Sequence, residues 1–106
     1  MKKGKTLLKT ITVPVLIPGQ LLLYDEEVTL RNLRSYIPFR AMHVVNTNVT
    51  ANVEIMFDYS PTKTIVCLSN GIKDIKDQPF RAFSVKNTHA TDTIAAGDII
   101  IELETY

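Results

Sequence analysis

The chain has 106 residues, 12 Lys and Arg against 11 Asp and Glu, a net charge of +1 and one cysteine. That length suits one domain able to bury its own core, and the near-neutral balance creates no field that would argue for nucleic acid as a partner. A lone cysteine excludes a disulfide within the chain, and Cys67, in the apolar run Thr64 to Leu68, reads as a small buried thiol.

The first residues, Met1 to Lys9, carry Lys2, Lys3, Lys5 and Lys9 with few apolar neighbours. Lys9 interrupts the apolar stretch too early for a secretory leader, so the segment is expected to be a basic N-terminal arm, 1–9, ahead of a single domain, 10–106. Thr10 to Ile17 alternates Ile11, Val13, Val15 and Ile17 with other residues and contains Pro14, which predicts an edge strand closed by a Pro18-Gly19 turn. Pro14, Pro18, Gly19 and Gln20 also break the apolar stretches well short of the roughly 20 residues of a membrane-crossing helix, and no membrane partner is expected. Leu21 to Tyr24 is a second short strand, and Asp25-Glu26-Glu27 a solvated turn. Val28 to Arg34 is read as extended, although Leu30, Leu33 and Ile37 also fit a helical spacing.

Two related stretches follow. Pro38-Phe39-Arg40-Ala41 to Asn46-Thr47 recurs 41 positions later as Pro79-Phe80-Arg81-Ala82 to Asn87-Thr88. Each is read as one strand entered at a proline and left at a turn-forming Asn-Thr pair. Between them, Val49 to Tyr59 alternates apolar and polar residues and is expected to pair as a hairpin with the first copy. Thr64 to Leu68 is a further strand, and Ser69-Asn70-Gly71 supplies residues that tolerate positive φ. Ile72 and Ile75 are expected to anchor a polar loop, and Ile99 to Leu103 closes the chain as a strand. About eight short strands without a convincing helix predict an all-β fold, an antiparallel β-sandwich or jelly roll in which equivalent strands of the repeat face each other.

No chemistry stands out against this architecture. His43, Cys67 and His89 are isolated from one another, so no metal site, cofactor or catalytic group is expected and the protein is read as a non-enzyme. His43 lies mid-strand and suits a hydrogen-bonded core or interface residue, while His89 falls in a turn. Arg31, Arg34, Tyr36, Phe39 and Arg40 form a basic stretch with interleaved aromatics, more often a solvated sheet edge than a base-stacking surface. Phe39, Arg40, Phe80 and Arg81 are candidates for a subunit interface, because Arg and aromatics concentrate at interfaces and strands apolar on both faces suggest that another chain covers part of the outer face.

From Gly71 to Ile75, through the second repeat copy, to Ile94-Ala95-Ala96-Gly97-Asp98-Ile99, the sequence resembles small β-rich structural proteins of tailed bacteriophage virions. That resemblance implies a capsid decoration or cement protein on the outside of the virion. Its partners would be itself, as a homotrimer, and the major capsid protein, with the arm lysines Lys2, Lys3, Lys5 and Lys9 reaching neighbours. The alternative expectation is a small carbohydrate- or surface-binding module using Tyr24, Tyr36 or Tyr59 as stacking platforms.

Overall fold

A computed structural model describes residues 6–105. Eight strands form two antiparallel four-stranded sheets: β1 (Thr6–Thr12), β2 (Leu21–Tyr24), β3 (Phe39–Asn46), β4 (Val53–Phe57), β5 (Thr64–Cys67), β6 (Gly71–Phe80), β7 (Phe83–Asn87) and β8 (Ile99–Thr105). The first sheet has the order β1-β8-β3-β6 and the second β2-β7-β4-β5. Consecutive strands therefore cross between sheets, except β4 and β5, which pair with each other. This is the jelly-roll arrangement of two interlocked Greek keys.

Exchanging the first four strands for the last four leaves the topology unchanged: β1-β8-β3-β6 becomes β5-β4-β7-β2, which is the second sheet. The register obeys the same exchange. Val45 opposes Ile72 as Lys86 opposes Leu21, and Met42 opposes Ile75 as Phe83 opposes Tyr24. Thus β3 matches β7 at a spacing of 41, the repeat visible in the sequence, while β2 matches β6 at 51. The difference is absorbed by the longer connection after β2, which holds a 3₁₀ helix, Arg31–Tyr36.

The inward faces supply the core. Met42, Val44, Ile99, Ile101 and Leu103 of the first sheet meet Val53, Ile55, Phe57, Phe83 and Val85 of the second, all essentially inaccessible to solvent. Aromatic side chains concentrate at one end, where Phe80 lies against Phe39, Phe57 and Phe83 at centroid distances of 5.6, 4.9 and 6.1 Å, and Tyr24 stacks on Phe83 at 5.0 Å. At the opposite ends of β3 and β7 the buried polar residues Asn46 and Asn87 occupy equivalent places. Asn46 donates from Nδ2 to the carbonyls of Ala51 and Cys67 and accepts from Asn48 N. Asn87 does the same with Asp92, Leu16 and His89.

The equivalence extends one step further, to a side chain of different chemistry. Asn48 Oδ1 accepts from the backbone N–H groups of Thr50 and Ala51; 41 residues later His89 Nδ1 accepts from those of Thr91 and Asp92, at 3.1 and 2.8 Å. An imidazole thus replaces an amide oxygen as the turn-closing acceptor, which fixes the neutral tautomer with its proton on Nε2. His89→Asn should therefore keep the melting temperature within a few degrees, whereas His89→Ala should destabilise by about 1–2 kcal/mol because two N–H groups lose their acceptor. Thermal unfolding of the two variants checks this, and equal losses in both would refute the equivalence.

Several expected elements differ. Strand β1 starts at Thr6, inside the segment read as an arm, and ends before Pro14; Leu16 then forms an isolated bridge with Ile94. Val28 to Arg34 is not extended: Leu30 is buried as an anchor, its N–H donating to Asp25 O, and the 3₁₀ turn follows. The hairpin expected between the first repeat copy and Val49 to Tyr59 does not form, because β3 and β4 lie in opposite sheets and the chain from Thr47 to Asn52 crosses between them. The loop expected around Ile72 and Ile75 is strand β6. The second repeat copy is split, Phe80 ending β6 and Phe83 beginning β7, because Asp58 Oδ1 accepts from the N–H groups of both Arg81 and Ala82 and turns the chain there. The two turns were legible: Gly19 (φ 79°) and Asn70 (φ 55°) adopt the left-handed conformation.

Candidate functional site

Residue alternation along each strand, combined with the register, defines what the two sheets show to their surroundings. Across the first sheet one outward row reads Asp74, His43, Glu102, Thr10, and the next Lys76, Ala41, Glu104, Leu7. His43 Nδ1 contacts Asp74 Oδ1 at 2.5 Å, a charge-assisted cross-strand pair when the ring is protonated. The mid-strand histidine is therefore hydrogen-bonded, as expected, in a charged row of the outer face.

The second sheet presents the equivalent positions differently. Where the first has Asp74, His43, Glu102 and Thr10, the second has Leu23, Ser84, Met56 and Thr64; the adjoining row is Leu21, Lys86, Glu54, Val66. Leu21 is 48% and Val66 44% exposed, and Leu23 and Met56 are half-buried. Ser84, between Leu23 and Met56 in register, is 2% exposed and its hydroxyl has no hydrogen-bond partner. In this row the duplicated scaffold carries charge on one face and apolar residues over an orphan hydroxyl on the other, whereas in the adjoining row the order is reversed, Ile72, Val45, Ile100 and Thr12 of the first sheet standing where the second has Leu21, Lys86, Glu54 and Val66. Sheet β2-β7-β4-β5 is the candidate docking surface.

A second cluster gathers at the turn after β4. Asp58 and Tyr59 both adopt left-handed backbone (φ 52° and 58°), and Ser60 N donates to Phe57 O across the turn. Burial against its surroundings, then the charges of Asp25, Glu27, Glu26 and Asp58, push the Tyr59 hydroxyl above its ordinary value, so the phenol stays neutral. Arg81 reaches the same patch and pairs with Glu26 Oε2 at 2.7 Å.

The remaining candidates are placed as follows. Phe39 and Phe80, expected at an interface, are 1% and 0% exposed in the aromatic core and are unavailable to another chain. Arg40 is exposed at the irregularity in the β3–β6 register, and Arg81 is engaged by Glu26. Lys9 is exposed on β1, while Lys2, Lys3 and Lys5 lie outside the described residues. Burial of Phe39 also removes an aromatic from the basic stretch Arg31 to Arg40. Tyr24 is stacked on Phe83 inside the protein, so it offers no external platform. Cys67 is buried, and burial pushes its thiol above the ordinary value despite opposing effects of Lys73 and a backbone hydrogen bond at Asn46, which keeps it protonated and unreactive. At the loop end, the Thr50 hydroxyl and then the neighbouring His89 ring hold the Asp92 carboxyl below its ordinary value. The stabilisation this brings is complete above the ordinary carboxylate range and fades as pH falls through the lowered value. Among the described residues no group of three or more His, Cys, Asp or Glu could hold a metal ion, and no helix is long and apolar enough to cross a membrane.

Neither a curated protein nor a solved structure matches the chain. A family model does, the one described as CO dehydrogenase beta subunit/acetyl-CoA synthase epsilon subunit, over residues 1–97. The match overturns the phage resemblance. The decoration or cement role, the capsid protein as partner and the virion exterior as location fall with it, as does the glycan-binding alternative. An association with other protein chains is kept in its coarse form, since the family description is one of subunits. With the match leaving just the last nine residues uncovered, the chain belongs to the CO dehydrogenase beta subunit/acetyl-CoA synthase epsilon subunit family.

Proposed function

We propose that this protein is an accessory, non-catalytic subunit of a multi-subunit enzyme of the carbon monoxide dehydrogenase/acetyl-CoA synthase type, and that it acts by docking. The observation that carries the reading is the contrast between internally equivalent faces. Asp74, His43 and Glu102 make a row of one face suited to water, and Leu23, Ser84 and Met56 make the equivalent row of the other suited to burial. Duplication supplies the internal control for this row: the same strands in the same register tolerate charge in the first sheet, so the apolar character of the row in the second is no requirement of the fold. The family description supports the setting, a subunit working beside others. Of the partners expected around Arg40 and Arg81, association with other protein chains is kept in its coarse form, and the Arg81 guanidinium is engaged by Glu26 within the chain.

A tagged chain produced in its own cell should copurify in fixed stoichiometry with subunits of that enzyme type, identified by mass spectrometry. Met56→Glu should abolish the copurification while leaving the circular dichroism spectrum intact. Recovery of the intact enzyme complex without this chain bound, from cells that make both, would overturn the proposal.

A further inference from the structure

The apolar row of the docking face runs into charge of one sign. Leu23 of β2 and Met56 of β4 both oppose Ser84, and two residues further along the chain from each stand Asp25 and Asp58. Asp58 Oδ1 accepts from the backbone N–H groups of Arg81 and Ala82, at 2.7 and 3.1 Å, and the Arg81 guanidinium reaches on to Glu26 at 2.7 Å. The run Asp25-Glu26-Glu27 is thereby joined to Asp58 and to Tyr59, whose side chain is 62% exposed. Burial and then all four of these charges raise the Tyr59 hydroxyl, which sets the ring among them. Ion pairs among the described residues bring a single cation, Arg81, to the four carboxylates.

We infer that the docking face takes a segment of the larger enzyme that is apolar where it crosses Leu23, Ser84 and Met56 and carries a lysine or arginine where it meets Tyr59 and Glu27. The inference rests on the docking reading proposed for this face and adds the chemistry of the occupant. Charge makes the selection, because a cation arriving here meets carboxylates that have one counter-charge between them and an aromatic ring to lie against, whereas an acidic or phosphate-bearing segment is repelled.

Ser84 points to the same occupant independently of the charge. Its side chain is 2% exposed, its hydroxyl has no hydrogen-bond partner, and it stands at an outward position between Leu23 and Met56. A group to pair with it therefore comes from a chain lying over this row, reached once the flexible, half-buried Met56 side chain moves aside. A backbone carbonyl of the arriving segment accepts from that hydroxyl, so Ser84 contributes to the complex and nothing to the free chain.

The test is the amount of enzyme complex retained on the tagged full chain and its variants, washed at about 0.05 and 0.5 M salt. Retention by the parent should fall about tenfold at the higher salt. Glu27→Lys should lower the low-salt retention by about tenfold and remove most of the salt dependence, while Glu27→Asp keeps both. Ser84→Ala should weaken retention by about three- to tenfold while the free chain melts at the parent's temperature or above it, a split that a merely structural serine would not give. Retention indifferent to salt and to Glu27→Lys, with Met56→Glu still abolishing it, overturns the basic segment and leaves the docking reading standing. Retention by no form of the chain overturns both. A purified chain that sediments as a dimer, and loses the dimer in Glu27→Lys, gives the patch to a second copy and likewise overturns the inference.

Discussion

Asn87→Asp is expected to destabilise the protein by about 3–5 kcal/mol at neutral pH, and Asn46→Asp by a similar amount. Each amide is essentially fully buried, at 0% and 1% exposure, and each bonds three backbone groups from separated parts of the chain. The substitution keeps the shape and removes both N–H donors, turning a carboxylate oxygen toward the carbonyls of Leu16 and Asp92, or of Ala51 and Cys67. The oxygen turned toward two carbonyls meets acceptors and no donor, so the carboxyl is driven to its protonated form. Its folded-state pKa is therefore raised above the unfolded value of about 3.9, and the deficit shrinks as pH falls toward that value, opposite to the usual acid destabilisation. Urea unfolding at neutral pH and near pH 4.5 reads both effects. A loss below about 1 kcal/mol, or one that grows in acid, would show that the amides are not the pins their geometry indicates.

The two asparagines also show what the sequence could and could not disclose. Both are visible in the repeat, as the last strand residue of each copy before Thr, and there they read as turn formers. Their burial was not legible, because it depends on Cys67 and Leu16 arriving from β5 and from the segment after β1. The 41-residue repeat identifies β3 and β7 as partners in symmetry. The 51-residue repeat relating β2 to β6 leaves almost no identity behind: Leu21 and Leu23 stand where Ile72 and Asp74 do. For the same reason β6 read as a loop, its Lys73-Asp74 and Lys76-Asp77 pairs hiding the inward anchor Ile75.

Strand existence was legible and strand pairing was not. Alternation in Val53 to Phe57 announces a two-faced strand, yet nothing local states that its neighbours are β5 and β7 instead of β3. In a jelly roll nearly every pairing spans a crossover, so the register is decided by the fit of the two inner faces. The docking face was half legible. Leu21, Leu23 and Met56 are apolar at outward positions, which the strands' two-sided apolar character hinted at. The orphan Ser84 hydroxyl needed the structure, because a serine in a strand looks the same in sequence whether covered or not. The phage resemblance failed for a related reason: it followed residues that belong to the β-sandwich itself, and a sandwich of this kind serves many unrelated functions.

Phe80→Ala should destabilise the protein by about 3–5 kcal/mol and lower the melting temperature by roughly 15 °C or more, whereas Phe80→Leu should lose about 1.5 kcal/mol or less. Phe80 sits at the end of β6 with no exposed surface, touching Phe39 of its own sheet and Phe57 and Phe83 of the other. Truncation therefore opens a cavity between the sheets that none of three rigid rings can collapse to fill, while leucine retains most of the volume. The Phe39–Phe80 pair is tilted at 42° with centroids 5.6 Å apart, and a double-mutant cycle through leucine should return a coupling of about 0.5–1.5 kcal/mol. The same variants separate core from interface. If Phe80 were a subunit contact, Phe80→Leu would change association with other chains and leave the stability of the folded chain alone; burial predicts the reverse, a lower melting temperature with association unchanged for the folded fraction. Calorimetry and sedimentation on one protein preparation distinguish the two, and a variant that associates differently while melting like the parent would return Phe80 to the surface.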